Sequence, residues 1–305
     1  TGIRAVAERY PAPTRIILTP IILDFIARGV APADAVAEVK RWQAENSSRV
    51  EVGNHFKLML DGAIFSGLSQ FGAPGYLDGH EGIWMAPRDV THDYALAFWQ
   101  AGFQLHAHSN GDAATDWFLS LLETLLSEAL RADHRMTLEH FAYSTEDQTR
   151  RLKILGAAVS ANPYYHYILS DMYSGDWLGP DRSSQMSRLG SLERADIPLA
   201  LHSDNPMAPL SPLTLMWTAV QRETINGRAG IGAEKISRAK ALRGITIDAA
   251  WILGRESDLG SIRAGKLADF TVLNDDPMTV NLDQLPNIEV IATIYGGVPY
   301  PINRP

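Results

Sequence analysis

The sequence predicts an α/β fold: a TIM-like (β/α) barrel, incomplete at its amino end, with a small β appendage at its carboxyl end. Three observations predict it. Short β-branched or apolar runs alternate with helix-length stretches as far as Leu253, the pattern of a parallel sheet wrapped by helices. Two further strand-like runs then follow with no helix between them. Lys, His or Asp also sits at or near the downstream tip of four separate runs, the end at which a barrel of this kind gathers its chemistry.

In chain order, Gly2 to Tyr10 reads as a helix, Thr14 to Thr19 as a strand, Pro32 to Glu45 as a helix and Phe56 to Leu60 as a strand. Ala63 to Gly82 is too rich in glycine for regular structure and reads as a loop over the mouth. Its Tyr76 and His80 are either substrate contacts or parts of an ordered surface loop. The helix Thr91 to Ala101 leads into the strand Phe103 to Ser109. The helix Asp112 to Leu130 follows, with Trp117, Leu121, Leu122 and Leu125 at helical spacing. Next come the strand Met136 to Phe141, a helix opened by Ser144-Thr145-Glu146-Asp147, and the strand Ala157 to Ala161. Asn162 to Gln185, rich in Tyr, Gly and Asp, reads as irregular. The strand Pro198 to Ser203 precedes helices at Pro212 to Asn226 and Ile245 to Leu253. Ala268 to Leu273 and Glu289 to Tyr295 are the two strands of the appendage.

That count yields six barrel strands where a closed barrel takes eight. The expectation is therefore a barrel domain over 1–255 without its first two strands, and part of a small β-sandwich over 256–305. The unpaired edges at Thr14 to Thr19 and Pro198 to Ser203 would then favour a homo-oligomer formed through the gap.

Composition narrows the function. With 46% hydrophobic and 20% charged residues in 305, the chain can build a large core. A net charge of −8 without Lys/Arg runs argues against nucleic acid or an anionic membrane as partner. No cysteine is present, which excludes thiol nucleophiles and Cys-ligated metal. No run has the length of a transmembrane helix. The expected setting is the cytoplasm, and the expected partner a small-molecule substrate.

Alternation along Phe56 to Asp61 puts Lys57, Met59 and Asp61 on one face, opposite Phe56, Leu58 and Leu60. If the apolar face meets the helices, Lys57 points inward, where an ammonium is costly without a partner or a modification; otherwise it snorkels to solvent. His106 and His108 share a face by the same rule. His140 ends its own strand, and Asp204, ahead of Asn205-Pro206, sits where the chain must turn and leave a carboxylate at the mouth. Imidazole and carboxylate are the ligands of a catalytic zinc, so four segments ending this way point to one divalent-metal site and a metal-dependent hydrolase. His166 and His202 read as groups that orient ligands, and His55, His92 and His134 as surface residues. No P-loop, Gly-x-Ser-x-Gly elbow, His-Glu-x-x-His helix or dinucleotide fingerprint is present.

Five stretches together carry a resemblance: Lys57-Leu58-Met59-Leu60-Asp61-Gly62, His108-Ser109-Asn110-Gly111-Asp112, Leu138-Glu139-His140, Ser203-Asp204-Asn205-Pro206, and the tail from Gly260 to Phe270. With these the chain resembles the amidohydrolase superfamily, in particular amidohydrolase family 3 with its N-substituted formamide deformylase-like members. The resemblance implies a distorted barrel plus a small β-sandwich and one or two divalent metals, usually zinc. It implies that Lys57 lies where a metal-bridging carboxylated lysine can occur. It makes His108 and His140 metal-binding histidines, and Asp204 a metal ligand that also shuttles the proton. The implied reaction is hydrolysis of a C–N bond of an amide, formamide or cyclic amide by a metal-activated water. One departure stands out: the family's His-x-His on the first barrel strand has no equivalent upstream of Lys57. The alternative is a non-catalytic barrel remnant that binds a small molecule or a partner.

Overall fold

The computed structural model describes residues 2–10 and 12–302, so Thr1, Pro11 and 303–305, including the ends of both expected domains, lie outside the described residues. Its centre is a five-stranded parallel sheet, β3 (His55–Met59), β4 (Gln104–Ser109), β5 (Thr137–His140), β6 (Ala158–Ala161) and β7 (Leu199–Leu201), in that spatial order. Strand order follows chain order because each crossover carries helix: Arg88–Gln100 before β4, Asp112–Glu128 before β5, and Glu146–Ile154 before β6. The last of these starts on a capping box between Thr145 and Gln148, which satisfies two backbone donors at its open end.

The expected six barrel strands become five. Thr14 to Thr19 contributes β1 (Ile16–Leu18), which pairs in parallel with a strand absent from the expectation, β2 (Val50–Val52), as a separate two-stranded sheet. The run still reaches the main sheet, because Lys57 N donates to Pro20 O at 2.8 Å and Ile21 bridges to Lys57. β2 and β3 thus form one interrupted line. Gly53 between them leaves no room for a side chain, since a Cβ would lie 2.4 Å from His55 Nδ1.

Asn162 to Gln185 is helical rather than irregular: Tyr165–Leu169 and Tyr173–Trp177 run in wide π turns, with α-helix over Ser170–Met172 and Gly179–Ser184. Tyr165, Leu169 and Tyr173, spaced by four, are buried along one stripe, which outweighs the turn-forming Gly and Asp around them. Ala63 to Gly82 holds only a 3-10 turn, Ile64–Ser66, as a loop should. The helix Arg238–Gly244 precedes Ile247–Ile252. The appendage has three antiparallel strands, β8 (Phe270–Leu273), β9 (Val290–Tyr295) and β10 (Val298–Pro301), in the order β10-β9-β8. Arg15 ties it to the start of the chain, bonding Asp269 at 2.8 Å and lying 4.5 Å over the Tyr295 ring.

The core lies between the sheet and its helices. Phe56, Leu58, Leu60, Leu105, Ala107 and Leu138 are fully buried there, and Phe56 stacks on Phe98 with centroids 3.5 Å apart. Burying one face in apolar helices leaves the opposite face for the polar residues of each strand.

Candidate metal centre

Alternation delivers that inward face as expected on β3 and β4. His55, Lys57 and Asp61 come from β3 and its extension, and Gln104, His106 and His108 from β4, with Lys57 level with His106 and Met59 with His108. On β5, alternation would send His140 outward beside Leu138. Instead the backbone turns left-handed at His140 (φ 80) and Phe141 (φ 53), and the imidazole meets His108 edge to face at 4.4 Å between centroids. Asp204 is likewise left-handed (φ 53), its side chain 40% exposed at the mouth, with Oδ2 3.9 Å from His140 Nδ1. Non-glycine residues in this region are uncommon and concentrate at functional sites.

The structure therefore brings His108, His140 and Asp204 to the carboxyl end of the sheet, with half-buried Lys57 one layer below. Among the described residues Lys57 forms no ion pair within 4 Å. Burial lowers its pKa, against the opposing pull of Glu139 and Asp204. Burial, then the nearby Lys57, pushes His108 down to about 4 and holds His140 well below its ordinary value. Both imidazoles are thus neutral, the form that binds a metal.

Neutrality alone does not make a metal site. His108 Nε2 accepts from Asn110 Nδ2 at 2.9 Å, and His140 Nδ1 faces His202 Nε2 at 3.0 Å and the Tyr165 hydroxyl at 3.2 Å. Among the described residues no three His, Asp or Glu side chains are grouped closely enough to hold a metal. The donor types suit a divalent ion, but the set is incomplete.

Around it lie groups the sequence reading did not single out. Glu139, inward by the alternation that places Thr137 there, bonds His106 Nδ1 at 2.6 Å and lies 3.7 Å from His202 Nδ1. Burial alone would raise its pKa, but Lys57 and the bond from His106 outweigh it and hold the carboxyl well below the usual carboxylate range. Asp61, fully buried, accepts backbone N–H groups from Gln70 and Asn110 at 3.0 Å and from Gly111 at 2.9 Å. It joins the mouth loop to the turn after β4, and burial nevertheless pushes its carboxyl up to about 7. Tyr165 donates to Asp204 Oδ2 at 3.3 Å; nothing in its sequence context marks it.

The other expected residues divide. His106 and His202 join the site through Glu139. His166 does not: although only 2% exposed, it packs against Arg222 and Gly230, and neither ring nitrogen has a partner. His55 and His134 are buried rather than at the surface. His55 shares the inward face of Lys57, 5.1 Å from the His106 ring, and His134 joins Leu155 O to Met136 N. Tyr76 is packed within the mouth, stacked on His80 at 3.7 Å, and His80 spends its nitrogens on Asp78 and Gly67 O. Leu77 N to Trp177 O and Tyr173 OH to Ile64 O bind this loop to the helical segment over 165–184.

The amidohydrolase family model matches residues 2–300. The chain belongs to the amidohydrolase family. Within this family it is 32% identical over 220 residues to N-substituted formamide deformylase of Arthrobacter pascens, a match spanning 72% of this chain and 40% of that protein. A metal-dependent hydrolase from Pyrococcus horikoshii superposes with a TM-score of 0.70 at 19% identity, over 89% of this chain and 58% of that one. A zinc-bound adenosine deaminase from Xanthomonas campestris gives 0.59 at 18%, over 97% and 62%. The structural likenesses establish the barrel fold of the amidohydrolase. The chain spans less than two thirds of each of these relatives, and no described helix is long and apolar enough to cross a membrane.

Proposed function

We propose that the complete protein is a metal-dependent hydrolase that cleaves a C–N bond of an amide, formamide or cyclic amide, and that this chain supplies its proton carrier. The observation that carries the reading is Asp204, a carboxylate open to the mouth, 3.9 Å from His140 Nδ1 and held by the Tyr165 hydroxyl. Asp204 takes the proton of the attacking water on a carboxylate oxygen and returns it to the leaving nitrogen. Lys57, His108, His140 and Asp204 are the groups the chain offers a divalent ion, zinc by our reading, and among the described residues they form an incomplete set. The names of relatives support the reaction class, since a formamide deformylase and an imidazolonepropionase both match this chain.

One observation favours the alternative of a non-catalytic remnant for these residues alone: among the described residues no three His, Asp or Glu side chains stand close enough together to hold a metal. Asp204→Asn in the full-length protein separates the two. A general acid–base group contributes roughly 10²–10⁴ in rate, so turnover of N-substituted formamides and cyclic amides should fall by at least about a hundredfold with the melting temperature unchanged. Equal turnover in both proteins refutes the role of Asp204.

A further inference from the structure

We propose that Glu139 is a positioning residue: its carboxylate sets the ring tautomers of His106 and His202, and through His202 that of His140, so that His140 keeps its Nε2 unprotonated.

An ionised carboxylate only accepts hydrogen bonds. His106 Nδ1, 2.6 Å from Glu139 Oε1, therefore carries the proton, and its Nε2 must accept. The neighbour of that Nε2 agrees. Gln104 Nε2 lies 3.0 Å away, and its identity as the nitrogen is fixed by the Ile252 carbonyl 2.8 Å from the same atom.

His202 stands on the other side of Glu139. Its Nδ1 faces Ser160 Oγ at 2.9 Å and Glu139 Oε2 at 3.7 Å. A hydroxyl can serve either ring tautomer, so the carboxylate decides, and the proton sits on Nδ1 with Ser160 accepting. His202 Nε2 is then an acceptor, and the nitrogen 3.0 Å from it, His140 Nδ1, must donate. Tyr165 fits this direction, since its oxygen can accept from His140 Nδ1 at 3.2 Å while its hydrogen goes to Asp204 Oδ2 at 3.3 Å. The lone pair of His140 is left on Nε2, which has no hydrogen-bond partner among the described residues.

The influence thus runs from a carboxylate buried in the sheet, across a 3.7 Å approach to His202 Nδ1, and through one hydrogen bond to the imidazole beside Asp204, which it orients as a second group orients a working histidine. The use made of His140 rests on the proposed function, whereas the tautomers can be read without turnover, so failure of one is distinguishable from failure of the other.

The test is long-range proton–nitrogen correlation on the full chain labelled with ¹⁵N-histidine at neutral pH. His106, His202 and His140 should all appear as Nδ1–H tautomers. In Glu139→Gln one amide oxygen must serve two imidazoles, and His106 holds it at the shorter distance. His202 then moves its proton to Nε2 and His140 follows, exchanging pyrrole-type for pyridine-type resonances at both nitrogens. A wild-type His140 protonated at Nε2, or a folded Glu139→Gln with unchanged His202 and His140, overturns the proposal. Should Glu139→Gln fail to fold, Ser160→Ala decides. It keeps the carboxylate, so both rings should retain Nδ1–H, and a switch there would show that Ser160 sets the tautomers instead.

Discussion

Acidification should destabilise this protein in part through His166, and the size of that part follows from its surroundings. The ring is 2% exposed with both nitrogens unpartnered. Burial first, then the charges of Arg222 and Arg228, lowers its pKa from 6.5 to about 3, against the opposing pull of the Arg222 backbone and Asp171. The unfolded chain therefore binds the proton near pH 6.5 while the folded chain resists it, so the stability held above 6.5 is lost as pH falls toward 3. Between pH 7.5 and 5 the loss from this one residue is about 2 kcal/mol. His166→Leu removes the titrating group without breaking a hydrogen bond. Urea unfolding across that range should show the wild type losing about 2 kcal/mol more than the variant, whatever their difference at neutral pH. Parallel curves for the two proteins would refute the reasoning, because they would mean that His166 is protonated in the folded state or reaches solvent.

Three further outcomes are expected. Phe56→Ala removes a fully buried ring stacked on Phe98 and should cost about 3–5 kcal/mol in urea unfolding. Gly111→Ala would place a methyl 1.9 Å from the Gln70 carbonyl, so it should cost about 1–3 kcal/mol and speed limited proteolysis within the mouth loop over 63–82, where a wild-type cleavage pattern would contradict the clamp. After dialysis against zinc, the 305-residue chain alone should retain at most one weakly held ion by elemental analysis, because its ligand set is incomplete, and two tight equivalents would contradict this.

Much of the site was legible because strand alternation is a strict rule. It placed Lys57, His106 and His108 on one face, and the strand ends located His140 and Asp204. It also puts Glu139, two residues after Thr137, on the inward face, but the histidine beside it carries the stronger ligand signal. Alternation fails where the backbone leaves β geometry: His140 reaches His108 only through a positive φ that no residue pattern announces. His166 was misplaced because a histidine beside two tyrosines reads the same whether it lines a site or fills a core. Tyr165 could not be found at all, since its role depends on a helical turn hidden in a glycine- and aspartate-rich stretch. The strand β2 was missed because three residues beside a glycine are too short for a period to show.

Turnover by the full-length protein tests the account most directly. Cleavage of the C–N bond across a panel of N-substituted formamides, amides and cyclic amides should vanish on chelation and return with zinc. No cleavage of any C–N bond in the panel with metal restored, or undiminished cleavage after the metal has been stripped, would contradict it.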